Sequence, residues 1–358
     1  MKEKSGIIKK TSVKILRRPL NQPFRTATGE HKSLENVLFS LELADGVRGW
    51  GEAAVATHIT GETVEKTQLN LKNIGPLLRG QNVSDYLRLS TKLREVLAGN
   101  PAALAAVEIA LVDALTRQKK IPLWKFFGKK CALLKTDITI VIGSLVETQA
   151  AVEQFFKQGF RTFKIKIGRD FDLDYKRILA VHRLSHGSDI YLDINQGYSA
   201  EETLSLLKEL GVDGIRPALL EQPVPRQDWE GLKKISRSTD IPVCADESVR
   251  HVGDAALAIR EKAVSVINIK LMKFGLFEAL EIIALAQSNN VGLMIGGMME
   301  SSLAMTAAAH MAAGMRCFQY IDLDTPFFLK HDIVRNRYLS KNGVYDLRDV
   351  KAGIGLRL

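Results

Sequence analysis

Cysteine is scarce. Cys131, Cys244 and Cys317 are odd in number and far apart in 358 residues. That spacing excludes a disulfide framework and a zinc site, and it fits a reducing, cytoplasmic compartment. No apolar run approaches the roughly 20 residues of a membrane helix, so no membrane partner is expected. The N-terminal MKEKSGIIKKTSVKILRRPL is basic but holds no continuous apolar segment, so a secretory leader is not expected there. No strand-like run is followed by a Gly-rich nucleotide fingerprint. GLMIGGMMES has glycines but no P-loop lysine. The net charge is +10, yet its lysines and arginines are scattered and have no interleaved aromatics. A solvated surface accounts for them, and no nucleic-acid partner is expected.

What is present falls into two textures. In the first 130 or so residues, SLENVLFSLELADGVRGWGEA reads as a hairpin turning at Asp45-Gly46. NPAALAAVEIALVDALTRQKK reads as a long helix, with Asn100 as N-cap and Pro101 at its first position. That is an α+β arrangement. From about Thr136, eight β-branched runs alternate with amphipathic helices: TDITIVI, TFKIKIG, DIYLDIN, PALLEQP, IPVCADES, VSVINIK, VGLMIGG and FQYIDLD. Ser199 and Glu202 form a capping box at one of the helices. Eight βα units are what a closed α/β barrel needs; an open doubly wound sheet is the alternative. The expected organisation is an α+β capping domain over 1–130, a barrel over 131–325, and a segment over 326–358 returning to the cap.

FRTFKIKIG, residues 160–168, places Lys164 and Lys166 on one side of a strand and Phe163, Ile165 and Ile167 on the other. On an open sheet the lysine side would simply face solvent. Other strands end in polar groups too: Asp193 and Asn195, Glu221, Asp246 and Glu247, Lys270, Asp322 and Asp324. The C-terminal ends of parallel barrel strands face the active site. Asp193, Glu221 and Asp246 bring three carboxylates together, which resist ionisation unless a cation sits among them. An all-oxygen donor set with room for water suits Mg²⁺. Lys166 and Lys270 fall on opposite sides of a closed barrel. Desolvation and Lys164 are expected to depress their pKa, so that one takes a proton from a carbon and the other returns it.

These residues resemble the muconate lactonizing subgroup of the enolase superfamily over nearly the whole chain. ADES, INIKLMK and DINQGY match its manner. The resemblance implies a modified (β/α)8-type barrel, (β/α)7β, with an α+β cap. It also implies Mg²⁺ held by Asp193, Glu221 and Asp246, and two acid/base lysines, Lys166 and Lys270, acting through an enediolate. Lys164 would assist them and contact substrate; Asn195 and Glu247 would support the metal ligands. In QYIDLDTP the Asp322/Asp324 pair is similar to that of dipeptide epimerases, where it binds the substrate ammonium. The same resemblance brings Thr139, Met298 and Met299 to the substrate. It puts the loop PFRTATGEHK over the distal side chain. Gly29 stands where Ala-Glu epimerases tend to carry arginine, so a small or apolar residue competes with Glu; His31, Lys32 and His58 are possible substitutes. The implied enzyme is an isomerase that inverts the C-terminal residue of an L,L-dipeptide, recycling peptidoglycan-derived or other peptides, and a homo-oligomer. The alternatives are an N-acylamino acid racemase, an o-succinylbenzoate synthase, and a non-catalytic basic protein binding RNA or an acidic partner.

Overall fold

The computed structural model describes residues 6–358. Strands β1 (Ile8–Arg25), β2 (Glu30–Leu43) and β3 (Arg48–Ala54) form an antiparallel N-terminal sheet. Asp45-Gly46 makes the expected turn, with Gly46 at φ 86°, a conformation that favours glycine. The helix Pro101–Gln118 lies on this sheet, buried from Ala102 to Thr116. It approaches closely because β3 presents Gly49 and Gly51. A Cβ there would stand 2.1 Å from the Ala110 carbonyl oxygen and 1.9 Å from that of Ala106.

Asn100 occupies the position before this helix, but its side chain does not cap it. Its amide donates instead to Glu62 Oε1 at 2.6 Å and Thr67 Oγ1 at 2.9 Å. The helix N-terminus is served by Glu62 Oε1, which accepts from the Ala102 N–H at 3.0 Å. A carboxylate brings full negative charge to the positive end of the helix dipole, so it takes the place expected of the amide.

After β4 (Leu134–Lys135), eight parallel strands follow in spatial order: β5 (Ile138–Ile140), β6 (Thr162–Lys166), β7 (Asp189–Asp193), β8 (Leu219–Glu221), β9 (Val243–Ala245), β10 (Val266–Ile269), β11 (Gly292–Ile295) and β12 (Tyr320–Ile321). Each of the eight apolar runs contains one of them. Helices outside and packed side chains inside bury both faces, so the strands read as continuous apolar runs. Seven strands are followed by a helix, from Leu145–Gln158 to Ser302–Met315, and the Ser199/Glu202 capping box is formed. The last strand leads only into a short 3₁₀ turn. The architecture is therefore a (β/α)7β barrel with an α+β cap.

First and last strands share no ladder. They meet at a seam where the Asp137 N–H donates to the Ile321 carbonyl at 2.9 Å and the Leu323 N–H to Thr136 Oγ1 at 2.7 Å. The floor of the barrel is apolar, with Tyr191, Leu219, Cys244, Val266 and Met294 packed together. Beyond β12 the chain runs back along the N-terminal region. Lys330 N–H donates to the Pro19 carbonyl at 2.9 Å, and Ile354 N–H to Asp113 Oδ1 at 2.7 Å. A two-residue ribbon, Val344–Tyr345 (β13), pairs with β4.

Candidate active site

Strand register brings the polar residues side by side. Lys166 pairs with Asp193 across β6 and β7, and Asp193 with Glu221 across β7 and β8. Lys164 and Lys166 point into the barrel and are buried, so the solvent-face reading of the K-x-K strand fails. Lys164 Nζ lies 3.1 Å from Asp193 Oδ2, 2.7 Å from Glu221 Oε2 and 2.7 Å from Asp322 Oδ2. Lys166 Nζ donates to Asp193 Oδ2 at 2.6 Å and Asn195 Oδ1 at 3.1 Å. Lys270, four strands further round the sheet, donates to Asp246 Oδ2 at 2.7 Å.

Several second contacts fix these groups. Arg177 is wholly buried and donates to the Lys166 carbonyl at 2.8 Å, to the Val141 carbonyl at 2.7 Å and to Asp174. Gln222 Oε1 accepts from the Asp246 and Ser248 N–H groups at 2.9 and 3.0 Å, which ties the end of β9 to the end of β8. Asn268 donates to Glu221 Oε1 at 2.7 Å. Asn195 donates to Glu247 Oε1 at 3.3 Å.

The electrostatics differ from the sequence expectation at the lysines. Burial works against the charge of Lys270, but Asp246 and Glu221 outweigh it and raise its pKa. Lys164 is raised likewise against its burial, by Asp193, Asp322 and Glu221. Carboxylates crowd these ammonium groups more closely than other lysines do, so neither is depressed. The acids divide. Burial would raise Asp193, but Lys164 and Lys166 hold it down to about 2. Burial and repulsion from Asp193 raise Glu221. Burial, then Asp246, pushes Glu247 up to about 8.

Asp193, Glu221 and Asp246 fit a divalent cation. They are oxygen donors on consecutive strands, and repulsion from Asp193 and Asp246 adds to the burial that raises Glu221. Glu221 Oε2 lies beside Lys164 without an aligned hydrogen bond. Ammonium groups stand between the three carboxylates. The one acidic trio among the described residues with oxygens within 4.8 Å of each other is a different one, Asp137, Asp322 and Asp324.

Thr139, Lys164, Lys166, Asn195, Lys270, Met298, Met299, Asp322 and Asp324 line one pocket. Its outer wall comes from the cap: Phe24, Thr26, Thr28, His31, Ala56 and Ile59. Asp322 Oδ2 accepts from Lys164, and Asp324 Oδ2 accepts from the Thr139 N–H at 2.6 Å. Burial, reinforced by Asp322, raises Asp324 to about 7. Gly29 sits at the tip of the β1–β2 loop, off the pocket lining, and a Cβ there would meet nothing within 4 Å. Lys32 points outward and pairs with Glu30 at 3.7 Å. His31 lines the pocket; burial and the Lys166 charge lower its pKa. The His58 side chain lies outside the described residues. A larger cleft of about 770 Å³ adjoins the site, but it reaches this chemistry only through Glu247 and Lys273.

Two residues were not picked out from sequence. Lys273 Nζ donates to Asp246 Oδ1 at 2.9 Å and to the Asp246 carbonyl at 2.7 Å. Its signal was the i,i+3 spacing from Lys270. Asp137 begins a strand rather than ending one, so a search of strand ends passes over it.

Residues 10–128 match the mandelate racemase/muconate lactonizing enzyme N-terminal domain, and residues 147–358 match the enolase C-terminal domain-like family. A hydrophobic dipeptide epimerase of Citrifermentans bemidjiense is 50% identical, over 96% of this chain and 95% of that protein. An L-Ala-D/L-Glu epimerase of Bacillus subtilis is 35% identical, over 94% and 93%. The crystal structure of a dipeptide epimerase from Enterococcus faecalis, complexed with Mg and L-Leu-L-Tyr, is 32% identical. It superposes with a TM-score of 0.93 over 98% of this chain and 100% of that one.

Proposed function

The chain belongs to the mandelate racemase/muconate lactonizing enzyme family of the enolase superfamily, and from that premise we propose that it is a Mg²⁺-dependent dipeptide epimerase. It is an isomerase of the racemase and epimerase type. In this reading residues 1–130 are the cap, 131–325 the catalytic barrel and 326–358 a tail joining them.

Asp193, Glu221 and Asp246 would hold Mg²⁺, whose chemistry is to bind the substrate carboxylate and lower the energy of the enediolate. The chain's own groups do the rest. Lys166 and Lys270 approach from opposite sides of the barrel, so an α-carbon between them loses its proton to one and regains one from the other. Asp322 and Asp324 receive the ammonium of the first residue through charge-assisted hydrogen bonds. Their Oδ2 atoms accept from Lys164 and the Thr139 N–H. Phe24, Ala56, Ile59 and Met298 contribute apolar surface to the distal wall beside Thr26, Thr28 and His31, and no arginine lines it. The proposed substrate is therefore an L,L-dipeptide of L-Ala-L-Xaa type with an apolar Xaa. A role in recycling peptidoglycan-derived or other peptides in the cytoplasm follows as part of the same proposal.

The observation that carries this reading is the Asp322/Asp324 pair in one pocket with both lysines. An N-acylamino acid or a succinylbenzoate precursor brings no ammonium for that pair to bind. The test is mass spectrometry of a pooled L,L-dipeptide library incubated with the enzyme and Mg²⁺ in D₂O. A one-unit mass gain on apolar dipeptides is the expected result. No gain on any dipeptide, with turnover of N-acyl amino acids, would overturn it.

A further inference from the structure

Asp137 is the anomaly of the barrel interior. It is 1% exposed, and neither carboxylate oxygen receives a hydrogen bond from any described group. Leaving a buried acceptor unmatched is costly, and leaving an ionised one unmatched far more so. Acceptors stand close by: one oxygen from each of Asp137, Asp322 and Asp324 lies within 4.8 Å of the others. Two carboxylates side by side repel; with one proton between them they make a hydrogen bond. The surroundings offer little else. Lys164 from β6, Tyr191 from β7 and Glu221 from β8 are further charged or titratable groups whose fields couple to it. Lys164 is already shared among Asp193, Glu221 and Asp322.

We propose that Asp137 is a positioning residue that stays a neutral carboxylic acid and donates its proton upward into the Asp322–Asp324 pair. The three oxygens could instead surround a metal ion. Asp322 already accepts from Lys164 and Asp324 from the Thr139 N–H, and a proton on Asp137 leaves both contacts in place. Burial and the two aspartates raise the Asp137 pKa, which points the same way. The donated hydrogen bond fixes the pair from below and leaves its outer oxygens for the pocket. The pair's part in holding an ammonium rests on the epimerase reading; the proton on Asp137 does not.

Two readouts separate these. The first is the infrared carbonyl stretch of protonated carboxylic acids, taken as wild type minus Asp137→Asn at pH about 9. Acids that stay protonated in both proteins cancel in the difference. A band in that difference is expected, and its absence overturns the proposal whatever the substrate proves to be. The second is rescue by the conservative variant, measured on Mg²⁺-loaded enzymes whose folding is checked by circular dichroism. The asparagine amide can donate as the acid does. Asp137→Asn should therefore keep a KM for free dipeptide roughly 10-fold or more below that of Asp137→Leu, with kcat split far less. Equal loss in both variants would mean that Asp137 acts as an anion, and would overturn the proposal. So would Asp137-dependent binding of a second Mn²⁺. If wild type turns over no dipeptide, the epimerase reading fails and the infrared difference alone decides for Asp137.

Discussion

Lys166 and Asp193 stand in register on adjacent strands, with Nζ 2.6 Å from Oδ2. The proposed acid/base group therefore leans on a proposed metal ligand. The same holds across the barrel, where Lys270 leans on Asp246. Each lysine is hydrogen-bonded to a carboxylate that a cation would also claim. Acid/base competence and metal occupancy are thus coupled through two short contacts.

Removal of divalent ions by chelation should abolish epimerisation, and added Mg²⁺ should restore it. Turnover measured by polarimetry before and after dialysis against a chelator checks this. Unchanged turnover in the metal-free protein would refute the coupling.

Lys270→Ala should lower the rate of inversion by about 10²–10⁴-fold, the usual contribution of a positioned general acid or base. Exchange of the α-proton with D₂O should persist from one face only, because Lys166 remains. Full inversion by this variant, followed by NMR, sinks the two-base scheme.

Asp324→Asn should weaken dipeptide binding more than it slows chemistry. A charge-assisted hydrogen bond contributes about 1.5–3 kcal/mol, so KM should rise roughly 10- to 100-fold. Steady-state kinetics on the best dipeptide from the library gives the answer; a kcat effect with unchanged KM would move Asp324 out of the ammonium site.

Gly51→Ala should destabilise the cap, since the new Cβ would fall 1.9 Å from the Ala106 carbonyl oxygen. Overpacking of this kind costs about 1–3 kcal/mol. A drop in Tm with little change in KM is expected from calorimetry.

Stability should fall as pH rises above about 5. Burial pushes Glu108 to about 7, against hydrogen bonds from Ser90 and the Leu276 and Phe277 N–H groups. Burial likewise pushes Glu300 to about 8. Each binds its proton more tightly folded than unfolded. Their contribution is fully present below the unfolded value of 4.5 and is lost as pH rises through 7 and 8. Tm measured between pH 5 and 9 should show a smaller decline in Glu108→Gln than in wild type.

The barrel was legible because short β-branched runs alternate with amphipathic helices, and six of the eight runs end in polar or charged residues. That ending puts Lys166, Asp193, Glu221 and Asp246 at one rim. Asp137 was not legible by the same logic, because it precedes its strand and its acidic neighbours Asp322 and Asp324 arrive across the seam from the far end of the barrel. Lys273 was hidden as one more lysine at the start of a helix. Asn100 looked like a cap because local rules favour it; Glu62, far away in sequence, took the contact. The raised pKa of Lys270 was not legible, because the carboxylates that outweigh its burial arrive from other strands.

The seam between β5 and β12 has a consequence for how such a protein can diversify. Thr139 and Asp324 grip each other across it, so the residues proposed to hold the ammonium also latch the barrel shut. Mutational drift there would loosen the scaffold along with the binding. The loop tip at Gly29 carries no such double duty and has open space around it. New substrate preferences can therefore arise on the cap side at little structural risk, while the ammonium end stays as architecture.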